Sequence, residues 1–132
     1  MKELHMARIL VVDDDALFRE TLLTSLEGAG HELSAAANGV ECLRLLEQQQ
    51  ADLVIMDILM PEKEGIETII ELRKRFPELR IIAMSGGGAP GKVNMLDAAK
   101  KLGANLGLAK PFRLAALTKS IEEVLQDKSP GA

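Results

Sequence analysis

Five short apolar runs recur along the chain: Ile9-Leu10-Val11-Val12, Leu33 to Ala37, Leu53-Val54-Ile55-Met56, Ile81-Ile82-Ala83-Met84 and Leu106 to Ala109. The first, third and fourth show no alternation with polar residues, as expected of strands covered on both faces, and such strands belong to parallel sheets. Between the runs, apolar residues return at helical steps. Phe18, Leu22 and Leu26 do so in the first segment, and Leu114, Leu117, Ile121, Val124 and Leu125 in the last, each set forming one stripe. Gly28 and Gly30 stop the first helix, Asn38-Gly39 precedes the second, Pro77 follows the third and Gly103 closes the fourth.

The resulting order is (βα)₅. Right-handed crossovers with helices on both faces make this an α/β fold with a doubly wound five-stranded parallel sheet, flavodoxin-like, most simply in strand order 2-1-3-4-5. The working crevice of such a sheet lies at the carboxyl ends of its strands. Residues 8–126 form the single domain. Residues 1–7 are a leader containing a second methionine, Met6, and residues 127–132 read as a flexible C-terminal tail or the start of a linker.

Composition narrows the function. A chain of 132 residues supports one core, burying roughly two-thirds of its unfolded surface. That core is aliphatic: 47% of residues are hydrophobic, yet there are three Phe and no Trp or Tyr, so few rings exist to stack on bases or a flavin. A net charge of −4 gives no overall attraction to nucleic acid or anionic lipid, so neither is an expected partner. Cys42 is the only cysteine, which excludes an intramolecular disulfide or a multi-cysteine metal site, and it reads as a small helix residue without a redox role. With no secretory segment and no spanning apolar run, a cytoplasmic location is expected. His5 and His31 fall away from the expected crevice.

The chemistry collects at the carboxyl edge. Strand 1 leads into Asp13-Asp14-Asp15, strand 3 into Asp57, strand 4 into Ser85 and strand 5 into Lys110-Pro111. Two carboxylates ~4 Å apart repel by about 4 kcal/mol at an effective dielectric near 20, so a cation is called for. Mg²⁺ (or Mn²⁺) suits an all-oxygen site of one to three carboxylates and shares its remaining positions with phosphate oxygens. Lys110 can approach the same phosphate as a point charge. Asp57, on the central strand, is then the best nucleophile for in-line attack on phosphorus to give an acyl phosphate. Asp13 and Asp14, arriving side by side, suit metal ligation, while Asp15 suits the N-cap of helix 1. Ser85 is placed to donate a hydrogen bond to the transferred group.

The segments Ile9 to Asp15, Val54-Ile-Met-Asp57-Ile-Leu-Met-Pro61 with Gly65, Ser85 after an apolar strand, and Lys110-Pro-Phe112 together resemble CheY-like response-regulator receiver domains of two-component signalling, from about Arg8 to Gln126. The resemblance implies that Asp57 is the phosphoacceptor and that Asp13 and Asp14 are the acidic pair serving Mg²⁺, joined by Asp57 and the backbone carbonyl of Leu59. It gives Ser85 the switch-hydroxyl position, Lys110 the phosphate-binding position, and a cis bond between Lys110 and Pro111. It also implies a phosphoryl donor, either a sensor histidine kinase or a histidine phosphotransfer protein, and an output through contact with a downstream protein. Such a chain is a signalling domain that catalyses its own Mg²⁺-dependent phosphorylation and slow dephosphorylation.

Three departures from the family pattern carry expectations. Gly107 stands where receivers commonly carry Tyr or Phe, so Ser85 and its loop must report phosphorylation without the usual ring. The loop Gly86-Gly87-Gly88-Ala89-Pro90-Gly91 is glycine-rich, and reads as either a conformational switch or a tolerant surface loop. Leu59 and Gly87 cannot orient a hydrolytic water, which predicts slow self-hydrolysis. Glu62-Lys63-Glu64 reads as a solvated loop or a determinant of partner choice, Phe112 as an anchor for the last loop, and Glu122-Glu123 as the wet face of helix 5.

Other functions stay open on sequence alone. Asp13 and Asp15 fit the Asp-x-Asp signature of haloacid dehalogenase phosphatases, with Asp13 as nucleophile, although no later acidic metal motif follows Lys110. A flavodoxin-like cofactor binder needs a hydroxyl-rich phosphate loop and aromatic rings. Three settings for a receiver stay open: a stand-alone regulator, a relay intermediate, or a module excised from a longer regulator or hybrid kinase.

Overall fold

A computed structural model of the chain describes residues 7–58, 64–86 and 92–126. Strands and helices alternate throughout: β1 (Arg8–Val12), α1 (Ala16–Glu27), β2 (Glu32–Ala36), α2 (Gly39–Gln48), β3 (Leu53–Asp57), α3 (Glu64–Arg75), β4 (Arg80–Gly86), α4 (Lys92–Leu102), β5 (Leu106–Lys110) and α5 (Leu114–Gln126). The strands pair in parallel in the order β2-β1-β3-β4-β5, as the unbroken apolar runs require. β1, β3 and β4 are buried almost throughout, whereas β2 and β5 are half-exposed edges.

Alternation along the strands sorts the core into two halves, because successive side chains leave a strand on opposite faces. Leu10, Val12, Val54, Met56, Ile81 and Ala83 face Cys42 and Leu46 of α2, Ile69 and Leu72 of α3, and Ala99 of α4. Ile9, Val11, Leu53, Ile55, Ile82 and Met84 face Leu22 and Leu26 of α1 and Leu117, Ile121 and Val124 of α5. Each fully buried aliphatic side chain contributes about 1.5–3 kcal/mol, so the central strands anchor the fold. Leu114 does not join the predicted stripe. It is 49% exposed, and the buried face of α5 is Leu117, Ser120, Ile121 and Val124.

Caps fix where the helices begin. The Asp15 side chain accepts from the N–H groups of Leu17 and Phe18 at the start of α1. Asn38 accepts from the Glu41 N–H, and Glu41 reaches back to the Ala37 N–H, in the manner of a capping box. Gly28 caps α1 with an ordinary helical backbone, and the positive φ of that turn, 86°, falls on Gly30.

Four strands differ in their bounds from the sequence reading, three of them in a way that bears on the site. β2 runs one residue earlier, and β3, β4 and β5 run farther, so Asp57, Ser85 and Lys110 lie within their strands instead of after them. Their backbones are therefore held by the sheet ladder. Among the described residues no helix is long and apolar enough to cross a membrane. The leader through Met6 with His5, the Leu59 carbonyl, Glu62-Lys63, Gly87 to Gly91 and the tail from 127 lie outside the described residues.

Candidate functional site

The carboxyl edge of the sheet gathers the charged residues named from sequence. Asp13 follows β1, its N–H donating to the Ala36 carbonyl at 3.2 Å, and is fully buried. Its Oδ1 accepts from the Asp15 N–H at 2.9 Å and its Oδ2 from Lys110 Nζ at 3.0 Å. Asp57 closes β3, is 6% exposed, and accepts from the same Nζ at 3.4 Å. Asp14 is exposed at the mouth of the group. Ligand oxygens of Asp13, Asp14 and Asp57 all lie within 4.8 Å of one another. Asp15, engaged as the cap of α1, stands apart from this group.

Lys110 reaches the carboxylates from the end of β5, where its bond to Pro111 is cis, as the resemblance implied. Ser85 lies near the end of β4, paired in register with Ala109, and its Oγ is buried without a hydrogen-bond partner among the described residues. A buried hydroxyl left unsatisfied costs about 1–3 kcal/mol. A ligand oxygen received at this edge would satisfy it.

Two glycines shape the surroundings. A Cβ on Gly65 would lie 2.4 Å from Ile58 Cα and 2.8 Å from the Asp57 carbonyl oxygen, so only glycine lets α3 start this close to the end of β3. At Gly107 a Cβ would lie 3.2 Å from Leu96 Cδ2. Leu96 of α4 thus packs over the place where receivers commonly carry an aromatic ring.

Two contributors were not evident from sequence. Arg19 donates through Nη1 to the Asp13 carbonyl at 2.6 Å, and the ring of Phe18 lies 3.9 Å from Lys110 Nζ. Both occupy the first turns of α1. Side chains tilt toward a helix N-terminus, so early residues of a helix that starts at the crevice reach back over it. That direction is the signal that could have found them.

Cys42 and His31 are not brought to the site. Burial pushes the Cys42 thiol up to about 12, consistent with an inert core residue. His31 accepts the Ala7 N–H on Nδ1 at 3.1 Å, just before β2 and so at the amino edge of the sheet, opposite the acidic group. A pocket of about 700 Å³ also lies away from these carboxylates, at the amino edge, lined by Asp52, Phe76, Arg80 and Leu125 among others.

The comparisons with known proteins agree with this geometry. The model of the response regulator receiver domain matches residues 9–122. The chain is 36% identical over 126 residues to the DNA-binding transcriptional regulator NtrC of Azospirillum brasilense, covering 96% of this chain and 26% of that protein. It is 37% identical over 124 residues to the response regulator MprA of Mycobacterium sp. (strain KMS), covering 93% and 52%. The chain therefore spans between about a quarter and about half of these relatives. Among solved structures, a CheY-like response regulator receiver domain protein from Methanospirillum hungatei JF-1 superimposes with a TM-score of 0.81 at 29% identity, covering 91% of this chain and 94% of that one. With its sheet order, its acidic edge and a family match over most of its length, the chain belongs to the response regulator receiver domain family.

Proposed function

We propose that this receiver domain accepts a phosphoryl group on Asp57, from the phosphohistidine of a sensor histidine kinase or a histidine phosphotransfer protein, and signals by contact with a downstream protein in the cytoplasm. The observation that carries the reading is the meeting of Lys110 with two buried carboxylates, 3.0 Å from Asp13 and 3.4 Å from Asp57, with Asp14 completing the acidic group. A lysine and three aspartates leave excess negative charge in a largely buried place, which is unfavourable unless a cation joins it.

The donor set fits a hard divalent cation such as Mg²⁺: all oxygens, two buried and one facing solvent. Asp13, Asp14 and Asp57 would hold it, with the Leu59 carbonyl as a further ligand, and when bound it neutralises charge on the phosphoryl oxygens. The remaining work belongs to the chain. A carboxylate oxygen of Asp57 attacks phosphorus, a P–O bond forms, the P–N bond of phosphohistidine breaks, and the imidazole departs with the electron pair and takes up a proton. Lys110 offers its ammonium to the transferred group, and Ser85 donates its buried hydroxyl to a phosphoryl oxygen. Asp57 is preferred to Asp13 as nucleophile because it ends β3, the central strand of the sheet, in the middle of the crevice.

The test is incubation with Mg²⁺ and acetyl phosphate, followed by intact mass and peptide mapping. Wild type is expected to gain one phosphoryl group on the peptide holding Asp57, and Asp57→Ala none. Label on Asp13 would favour the phosphatase-type chemistry and end this reading.

A further inference from the structure

The apolar stripe of α1 explains why position 18 is hydrophobic, but not why it is aromatic. Leucine would satisfy the stripe as well as it does at Leu22 and Leu26. The ring of Phe18 has two contacts that leucine could not make. Its face carries Lys110 Nζ at 3.9 Å from the centroid. The Phe112 ring meets it nearly at right angles, with interplanar angle 83° and centroids 6.1 Å apart. Lys110 ends β5 and Phe112 lies two residues on, in the connection to α5, so one short stretch brings both the ammonium and the ring that steadies its platform.

We propose that Phe18 is a positioning residue for Lys110, holding the ammonium at the phosphoryl site by attraction to the ring face; its effect on phosphorylation rests on the function proposed above. The need for such a holder follows from the contacts. Lys110 is otherwise anchored by Asp13 and Asp57, and these are the carboxylates a divalent cation would claim. A lysine on a flexible four-carbon stem then loses the partners that fix its rotamer. The ring attracts an ammonium through its quadrupole, yet it can neither ligate a hard cation nor accept a phosphoryl group. It therefore holds the ammonium without competing for either ligand. The near-perpendicular packing of Phe112 against Phe18 is a favoured aromatic geometry and limits reorientation of the ring that faces Lys110.

The experiment compares wild type with Phe18→Leu and Phe18→Tyr. NMR of the metal-free proteins reads the ring-current shift of the Lys110 ε-methylene protons, which is expected upfield in wild type and Phe18→Tyr and near the random-coil position in Phe18→Leu. Phosphorylation by acetyl phosphate is expected to slow about two- to tenfold in Phe18→Leu, the population equivalent of one cation–π contact, and to recover in Phe18→Tyr. Thermal melting reports any loss of packing separately. If Phe18→Leu fails to fold, Phe18→Met fills the same volume and is read in the same way. Unshifted Lys110 protons in wild type, a wild-type rate in Phe18→Leu, or equal slowing in the leucine and tyrosine variants would each overturn the proposal. Failure of wild type to take up phosphate would instead remove the phosphoryl-transfer reading, leaving the NMR shift to judge the placement of Lys110.

Discussion

Two aspartates bracket β3, and their surroundings are opposite. Asp52, just before the strand, is exposed, and its Oδ2 accepts from the Arg8 N–H at 2.9 Å. Its own N–H donates to the Arg8 carbonyl and its carbonyl accepts from the Arg80 N–H, so every one of these contacts is with backbone. Asp57, the last residue of the strand, is buried, and its Oδ2 accepts from a lysine ammonium shared with a second carboxylate. Two arginines near the amino edge likewise bond to backbone. Arg80 donates to the carbonyls of Glu78 and Val124, and Arg73 to those of Pro77, Leu79 and Gly103. Charge bonded to backbone ties elements together. Charge bonded to movable side chains can be redirected to a ligand. On this view the amino edge maintains the fold and the carboxyl edge performs the chemistry.

The strongest way to break that division is Arg73→Ala. Its guanidinium reaches three carbonyls and the Asn105 side chain, joining α3 to the turn before β4 and the turn before β5. Burial and the nearby Arg80 lower its pKa, so it holds its place by these bonds against a desolvation cost. Removing it leaves partly buried carbonyls unpaired, and an unfolding free-energy loss of about 2–4 kcal/mol is expected in urea titration. The folded fraction should still phosphorylate at the wild-type rate. A variant of normal stability with slowed phosphorylation would reverse the roles of the two edges.

Ser85→Ala sharpens the comparison from the other side. A residue serving the fold destabilises it on truncation, whereas the Ser85 hydroxyl is buried without a partner among the described residues. Its removal is expected to leave stability unchanged or raise it by about 1 kcal/mol, while phosphoryl uptake slows. A loss of stability of that size would mean that Ser85 is tied into the core after all.

The same contrast explains what could be read from the chain. The order of the sheet was legible because β1, β3 and β4 lack polar alternation, and only central strands are covered on both faces. Asp13, Asp57 and Lys110 were legible as a group because a parallel sheet delivers the ends of all its strands to one edge. Phe18 was not. A ring on an apolar stripe has the same periodicity whether it fills the core or carries an ammonium. Leu114 misled for a related reason: it opens α5 three residues ahead of Leu117, where the helix has not yet come under the cover of the sheet. The replacement of an aromatic by Gly107 was plain in the sequence, but the advance of Leu96 into that space depends on how α4 packs, which no local pattern encodes.

The smallest effect is expected at His31, which accepts the Ala7 N–H on Nδ1 and so must be unprotonated there. Burial lowers its pKa, and the attraction of Glu122 opposes that shift without cancelling it. The unfolded chain, titrating near the ordinary value of about 6.5, therefore binds the proton more readily than the folded one. The contribution to stability is complete above that value and is lost as pH falls below it and through the lowered folded value. Melting at pH of about 7.5 and about 5.5 should show a larger acid loss in wild type than in His31→Asn, whose side-chain oxygen can accept the Ala7 N–H at both pH values. Carboxylates common to both proteins cancel in that difference. Because His31 serves the backbone at the start of β1, phosphoryl uptake at equal folded fraction should not differ between the two proteins at either pH. A difference in uptake would show that the two ends of the sheet are coupled, and the division between them would fail.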